Sequence, residues 1–368
     1  MCDVRITLDA TPLVGVRTGI GRYVEHLVAA LPDAFERRGV AAEVRVSTWT
    51  ARGGAVPDLP SSVTQVGRRV PARLVRSLWR RGSWPPVELL VGTTDVFHGT
   101  NFVSPPTRHA REVVTVHDLT YELHAQTVSD ASLLYRELVP RALARGAHVL
   151  TPTEVVALAV REQYGLPASQ VSVTHLGVDA PWFDAAPATS AWLRARGLPD
   201  EYLVFVGSRD PRKNLHRLLE AHAALRAQDR STPDLVLAGP AGREVDLAEG
   251  AGVHVTGWLT DAELRDLVAG ARALVLPSID EGFGLPALEA LAAGRPVLAA
   301  DIPVLREVAG ECAVYAPPTD VDALAAGLAR VLAEQDTVDA RADRRRRARE
   351  FTWDRTADRT VEAYLGAS

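Results

Sequence analysis

The stretch from Pro277 to Asp301, PSIDEGFGLPALEALAAGRPVLAAD, limits the possible folds more than any other part of the chain. Ala273 to Leu276, just before it, is a short apolar run closed by a proline, which suits a buried strand. The loop that follows carries Glu281 beside Gly282, Phe283 and Gly284, and its glycines accept positive φ or a ligand close to the backbone. Proline is favoured in a first turn, so a helix is expected from Pro286 through Glu289 to about Gly294. Arg295 and Pro296 then return the chain to a strand at Val297 to Ala300. Strand, glycine loop and helix N-terminus make a phosphate-binding device, because unpaired backbone N–H groups and the helix dipole both favour an anion. Two carboxylates, Glu281 and Glu289, flank it.

The same strand-then-helix alternation runs through the rest of the chain. Arg5 to Leu8 reads as a first strand, and Thr18-Gly19-Ile20-Gly21-Arg22-Tyr23 follows, with Tyr23, Leu27, Ala30 and Leu31 at helical spacing. That glycine pair opens a helix, for tight packing or for a ligand near bare backbone. Val96-Phe97 leads into His98-Gly99-Thr100-Asn101, Val113 to Val116 into His117-Asp118, and His148 to Leu150 into Thr151-Pro152-Thr153. Helical patterns at Leu133 to Leu143 and Glu154 to Tyr164 separate them, so a parallel sheet is expected, with strand C-terminal ends forming a ligand crevice. His117 would face it, as a structural histidine or as a functional one.

The Pro/Ala-rich stretch Pro181 to Ser190 reads as a linker. Beyond it Leu203 to Val206 is a strand, followed by Gly207, Ser208-Arg209-Asp210-Pro211-Arg212-Lys213-Asn214 and a helix, which places three cations beside a helix N-terminus. Strands are expected at Leu235 to Ala238, His254 to Val255 and Ala313 to Tyr315, and Thr260 to Glu263 has capping-box spacing. Asp320 and Asp322 share the spacing of a metal-binding aspartate pair, but at a helix start capping explains them better. The run Arg344 to Arg347 reads as a solvated helix face.

Composition matters mainly through what is scarce. Of 41 basic residues only Lys213 is a lysine, and Asn101 and Asn214 are the only asparagines, a bias that looks like GC-rich coding. A lysine that survives such bias beside one of two asparagines points to a requirement. Length, 47% hydrophobic content and 24% charge suit a two-domain soluble enzyme, and no apolar run reaches the length of a signal core or membrane span, so a cytoplasmic location is expected. Cys2 and Cys312 are too few for a disulfide framework or a zinc site. Residues 1–180 carry 19 arginines against 17 carboxylates, while the remainder carries 22 basic against 29 acidic residues. Within the basic half, Arg68 to Trp84 interleaves six arginines with apolar residues. It reads as a helix packed on its domain, or as a segment that lies peripherally on the inner face of an anionic membrane.

Taken in order, TGIGRY, VHD, GSRDPRKN, EGFGLPALEALAAGRPV and the terminal FTWDRTADRTVEAY resemble the retaining glycosyltransferases of the GT-B architecture, specifically family 4 (glycosyltransferase group 1), mannosyltransferases among them. The resemblance implies an α/β fold of two Rossmann-like domains with parallel sheets facing across a cleft. Residues 1–183 would form the acceptor-side domain and 191–350 the nucleotide-sugar domain, and the helix of 351–368 would cross back to the first. It further implies that Glu281 contacts donor sugar hydroxyls, Glu289 the ribose, and backbone near Gly282, Phe283, Gly284 and Leu285 the diphosphate. Lys213, with Arg212 as first-choice partner and Arg209 as second, would neutralise the leaving group. His117 would contact the transferred sugar, Gly19 and Gly21 would approach the phosphates, and Tyr23, Asn101 and Asp118 are acceptor-side candidates.

No second-face nucleophile of the kind used by retaining glycosidases stands out, and the resemblance implies a front-face reaction without a metal or other cofactor. GDP-mannose is the favoured donor and a UDP-sugar the second. A glycan, a lipid-linked glycan or a small molecule is the acceptor, with no role for nucleic acid. Two alternatives share the architecture, a nucleotide-sugar epimerase and a catalytically silent nucleotide-sugar-binding protein. A dinucleotide oxidoreductase is disfavoured, because neither half has a complete GxGxxG fingerprint with its acidic ribose residue.

Overall fold

The computed structural model describes residues 4–15, 19–50, 55–124, 126, 129–242 and 252–366. Thr18 and Cys2 lie outside those residues. The chain divides into two compact units, one made of the residues up to Gly177 together with those from Thr352 onward, the other of Val178 to Phe351.

The first unit is built on a seven-stranded parallel sheet. Its strands are β1 (Val4–Asp9), β2 (Ala42–Ser47), β3 (Val63–Gln65), β4 (Val96–Gly99), β5 (Arg111–Thr115), β6 (His148–Thr151) and β7 (Val171–Val173), in the spatial order β3-β2-β1-β4-β5-β6-β7. All pairings are parallel, in registers such as Ile6 opposite Val44 and Leu8 opposite His98. The central strands bury both faces, which is why β4 and β6 carry no exposed residue. The helix Gly19–Arg37 covers one face with Tyr23, Val24, Leu27, Val28 and Leu31 at the expected spacing.

The terminal helix Trp353–Leu365 belongs to this unit and docks on Gly19–Arg37. Trp353 stacks on His26 with ring centres 4.7 Å apart, Arg37 pairs with Asp358 at 2.8 Å and Arg38 with Glu362 at 2.6 Å. Inside that seam Tyr364 Oη bonds His98 Nδ1 at 2.6 Å. The Arg68 to Trp84 segment forms the helix Ala72–Arg81, whose Val75 and Trp79 enter a core cluster with Trp49, Val87 and Phe97.

The second unit carries a six-stranded parallel sheet of β8 (Tyr202–Val206), β9 (Asp234–Ala238), β10 (Val253–Gly257), β11 (Ala273–Leu276), β12 (Val297–Ala300) and β13 (Val314–Ala316). Their spatial order is β10-β9-β8-β11-β12-β13. The capping box at Thr260 and Glu263 forms as the sequence indicates, and Asp320 caps the helix Val321–Ala333 by accepting from Ala323 N. Part of the stretch read as a linker packs into this unit, since Trp182 is buried.

One expectation is corrected. The arginine run lies on the helix Val338–Ala348, but Arg344 is buried, donating to Asp336 Oδ1 at 3.0 Å, Glu334 Oε2 at 3.3 Å and the Gly294 carbonyl at 3.1 Å. Arg347 lies over Phe351 and donates to the carbonyls of Val308 and Glu307. These guanidiniums cap the C-terminal ends of neighbouring helices, where carbonyls lack partners and a cation is favoured. Only Arg346 of the four stays exposed.

Candidate active site

In an open parallel sheet the ligand crevice falls where the strand order reverses, because the loops leaving the two flanking strands diverge there. In the second unit that point lies between β8 and β11. It brings together the loop carrying Lys213 and the loop carrying Glu281, which are 68 residues apart.

The first loop leaves β8 at Gly207 and tightens into a short helical turn at Pro211–Lys213, with proline supplying its first-turn φ. Asn214 then adopts the left-handed conformation with φ 59°, which asparagine tolerates better than other non-glycine residues, and the helix Leu215–Gln228 begins behind it. Asn214 is buried and its amide donates to the carbonyls of Pro277 at 3.0 Å and Pro318 at 2.6 Å, while its oxygen accepts from Arg217 at 2.9 Å. The Lys213 loop is thereby fastened to the root of the Glu281 loop. A backbone bond from Ile279 N to the Arg212 carbonyl, 2.9 Å, adds a second tie.

The second loop ends at Gly284, whose φ of 91° favours glycine, and a Cβ there would also have to displace the end of the Leu305 side chain. The helix Leu285–Ala292 follows with Pro286 in its first turn and no side-chain cap at Gly284. Gly282 and Leu285 are half-buried, and the Phe283 ring is buried edge-on against Phe351 at 5.7 Å. The loop's contribution on its open side is therefore backbone. Glu289, one turn on, is 2% exposed.

Glu281 is 6% exposed and is held from three sides. Lys213 Nζ donates to Oε1 at 2.6 Å, Ser278 Oγ donates to the same oxygen at 2.7 Å, and Arg212 donates to Oε2 at 3.3 Å. Burial pushes the Glu281 carboxyl up, but the adjacent Lys213 and Arg212 charges outweigh it and hold the group down at about 2. Burial lowers the Lys213 ammonium, with Glu281 opposing it. Of the two candidate arginines, Arg212 is thus joined to Lys213 through one carboxylate. Arg209 makes no bond to that carboxylate, and its buried Nε has no hydrogen-bond partner among the described residues. The sequence does not mark Ser278 or Asn214 as site residues, although the scarcity of asparagine points at the second.

In the first unit the order reverses between β1 and β4, whose ends are tied by Thr100 Oγ1 donating to the Asp9 carbonyl. His117, buried just beyond β5, donates from Nε2 to the Thr100 carbonyl at 2.9 Å. A carbonyl only accepts, so Nε2 carries the proton. Burial keeps the imidazole below its ordinary range despite Thr100 and Asp118, which leaves Nδ1 as a lone-pair acceptor. The rings of Tyr23 and Phe102 stand edge-on to it, 5.2 and 5.4 Å away.

Tyr23, expected on the acceptor side, is fully buried and its hydroxyl is spent on Thr115 Oγ1 at 3.0 Å. The helical spacing that marked it as apolar face prevails, and its ring flanks His117. Asn101 is half-buried with its Oδ1 unpartnered among the described residues, and Asp118 accepts from Thr120 N at 3.0 Å. Gly19 starts the helix on the exposed side and Gly21 is buried in it. Phe102, which carries φ 59°, gave no signal in the sequence. Among the described residues no group of three His, Cys, Asp or Glu side chains is placed to hold a metal ion.

Two family models together span most of the chain: "Glycosyltransferase Family 4" matches residues 17–181 and "Glycosyl transferases group 1" matches residues 193–351. The O-antigen chain mannosyltransferase B of Escherichia coli is 29% identical, over 98% of this chain and 99% of its own length. The O-antigen chain mannosyltransferase RfbU of Salmonella typhimurium is 26% identical, over 82% and 84%. Among solved structures, a sucrose-phosphate synthase from Thermosynechococcus elongatus shares the fold with TM-score 0.73 at 20% identity, covering 99% of this chain and 100% of that one.

Proposed function

Because the chain belongs to the family 4, group 1 glycosyltransferases of the GT-B architecture, we propose that it is a retaining, metal-independent hexosyltransferase that takes mannose from GDP-mannose. The cluster of Lys213 and Arg212 on Glu281, at the head of a glycine loop and a helix N-terminus, carries this reading. In the reaction the bond between the sugar's anomeric carbon and the diphosphate oxygen breaks, and the acceptor hydroxyl oxygen forms a new bond on the same face. The acceptor proton passes to a departing phosphate oxygen. Charge therefore accumulates on the diphosphate, and preorganised cations and backbone N–H groups stabilise it there. Glu281 is a poor nucleophile or base, since both its oxygens accept from cations and its carboxyl is held at about 2. That supports front-face retention over a double displacement.

Mannose as the transferred sugar rests on the two mannosyltransferase relatives, and a UDP-sugar is the second choice. A glycan, lipid-linked glycan or small molecule supplies the acceptor hydroxyl, and His117 accepts a hydrogen bond at Nδ1 from a sugar hydroxyl. The test is a thermal-shift panel of nucleoside diphosphates and their sugars, followed by turnover with the best donor in EDTA. Binding to the native state raises the melting temperature, and at fixed ligand concentration the rise grows with the logarithm of affinity. The largest shift is expected with GDP and GDP-mannose, and turnover is expected to survive EDTA. Loss of activity restored by manganese would overturn the metal-free mechanism.

A membrane surface is proposed as a peripheral contact of the first unit. Val75 and Trp79 are spent on the core, so the contact falls to exposed Arg69, Arg73 and Arg81 with Leu74, 54% exposed, and Trp84, 64% exposed. Basic side chains around exposed apolar ones suit an anionic lipid surface. The protein is expected to float with anionic vesicles at low salt and to be released at high salt, with Leu74→Ser/Trp84→Ser floating less. Equal recovery with neutral and anionic vesicles would remove the proposal. No described helix is long and apolar enough to cross a membrane.

A further inference from the structure

Glu281 is bound more firmly than a group that only reads sugar hydroxyls needs to be. Its two oxygens take Lys213 at 2.6 Å, Ser278 at 2.7 Å and Arg212 at 3.3 Å, and Glu281 and Lys213 are both nearly inaccessible. Both cations assigned to the leaving group therefore already share their charge with a carboxylate of the protein. Resting on the nucleotide-sugar reading above, we infer that Glu281 is a built-in counter-anion that weakens the hold of Lys213 and Arg212 on the nucleoside diphosphate product and so sets the rate of its release.

With Glu281 ionised, the three side chains present a net charge of +1 to a diphosphate; without it they present +2. Like charges within a buried cluster are screened far less than in water, so the carboxylate acts on the diphosphate at close range. Its effect does not fade with pH in the working range, because the carboxyl stays ionised down to about pH 2. An enzyme that stabilises the accumulated charge on its leaving group too well retains its product, and release is then the slow step. The carboxylate also aims Lys213, accepting from its Nζ at 2.6 Å, and opposes the lowering of that ammonium by burial, a part that the bound diphosphate takes over where the carboxylate is replaced. Arg212 and Asp210 are the other charged neighbours that act on Lys213.

The decisive variant is Glu281→Gln, which removes the charge but leaves a carbonyl oxygen to accept from Lys213 and Ser278. GDP, UDP and inorganic pyrophosphate are titrated by calorimetry into wild type, Glu281→Gln and Glu281→Asp, and turnover is followed for a product burst. Glu281→Gln is expected to bind the diphosphate that wild type prefers about tenfold more tightly. Its steady-state kcat is expected to fall, with a burst that wild type lacks. Pyrophosphate should show the same gain, since the effect is one of charge, and Glu281→Asp should show none. General damage to the site lowers affinity, so a gain separates the counter-anion role from a structural one. Equal or weaker diphosphate binding by a folded Glu281→Gln protein would overturn the inference, as would an equal gain in Glu281→Asp. If wild type and variants all fail to bind any nucleoside diphosphate, the nucleotide-sugar reading itself fails.

Discussion

Lys213→Ala is expected to lower kcat about 10²- to 10³-fold, the usual scale for losing one preorganised contact to a developing negative charge. The loss should fall on kcat more than on KM, because the ammonium gains most of its interaction as the diphosphate departs. Arg212 stays in place, held by the Asp280 carbonyl at 3.2 Å and by Glu281, so residual activity should remain well above background. The same substitution removes the stronger of the two cationic influences that hold the Glu281 carboxyl down. A depressed carboxyl stabilises the fold above its unfolded value and loses that contribution as pH falls towards the folded one. Acid unfolding of the variant should therefore begin at a higher pH than in wild type. Steady-state kinetics with the best donor, together with melts from pH 7 down to pH 3, check both effects. Near wild-type kcat in a folded variant would overturn the role assigned to Lys213.

How far these residues could be read in advance depends on where the constraint lies. Lys213 and Glu281 were legible because local chemistry announces them: one lysine in a chain of arginines, and a carboxylate inside a glycine loop before a helix. The strand and helix order was legible for a related reason, since parallel strands buried on both faces are nearly continuous apolar runs, as in Leu203 to Val206 and Ala273 to Leu276. The failures sit where long-range packing decides. Tyr23 carries a hydroxyl and follows a ligand-type turn, yet the helix phase drives it inward onto Thr115. Arg344 looks solvated until the Val338–Ala348 helix lies across the end of another helix and supplies carbonyls for it. Phe102 holds a left-handed backbone that a bulky side chain ordinarily avoids, and its ring stacks on Tyr135 at 4.6 Å beside His117. Nothing local to Asn101-Phe102-Val103 indicates that geometry.

Asn214 is conspicuous in the sequence by its scarcity yet acts through long-range packing, and its replacement is expected to cost both stability and turnover. Asn214→Ala removes both donors to the Pro277 and Pro318 carbonyls in a position that is 3% exposed. The buried Pro277 acceptor left unsatisfied costs about 1–3 kcal/mol, the part-buried Pro318 acceptor about 1 kcal/mol, and alanine at φ 59° about 1 kcal/mol more. A loss of about 3–5 kcal/mol follows, which lowers the melting temperature of a unit of this size by roughly 10 °C. Asn214→Gly should lie between the two, because glycine accepts the left-handed backbone but leaves the carbonyls unpaired. Asn214→Asp should be no better than alanine in stability, since an ionised carboxylate offers only acceptors to two carbonyl oxygens. Scanning calorimetry of the whole chain orders the four proteins, and wild-type melting of Asn214→Ala would show that the clamp carries no net stability. The kinetic consequence separates packing from chemistry. Asn214 follows Lys213 directly and grips the residue before Ser278, so loosening it moves the cation and its counter-anion relative to each other. Turnover should therefore fall in Asn214→Ala even at temperatures where the protein remains fully folded, and fall less in Asn214→Gly, whose backbone still turns as Lys213 requires.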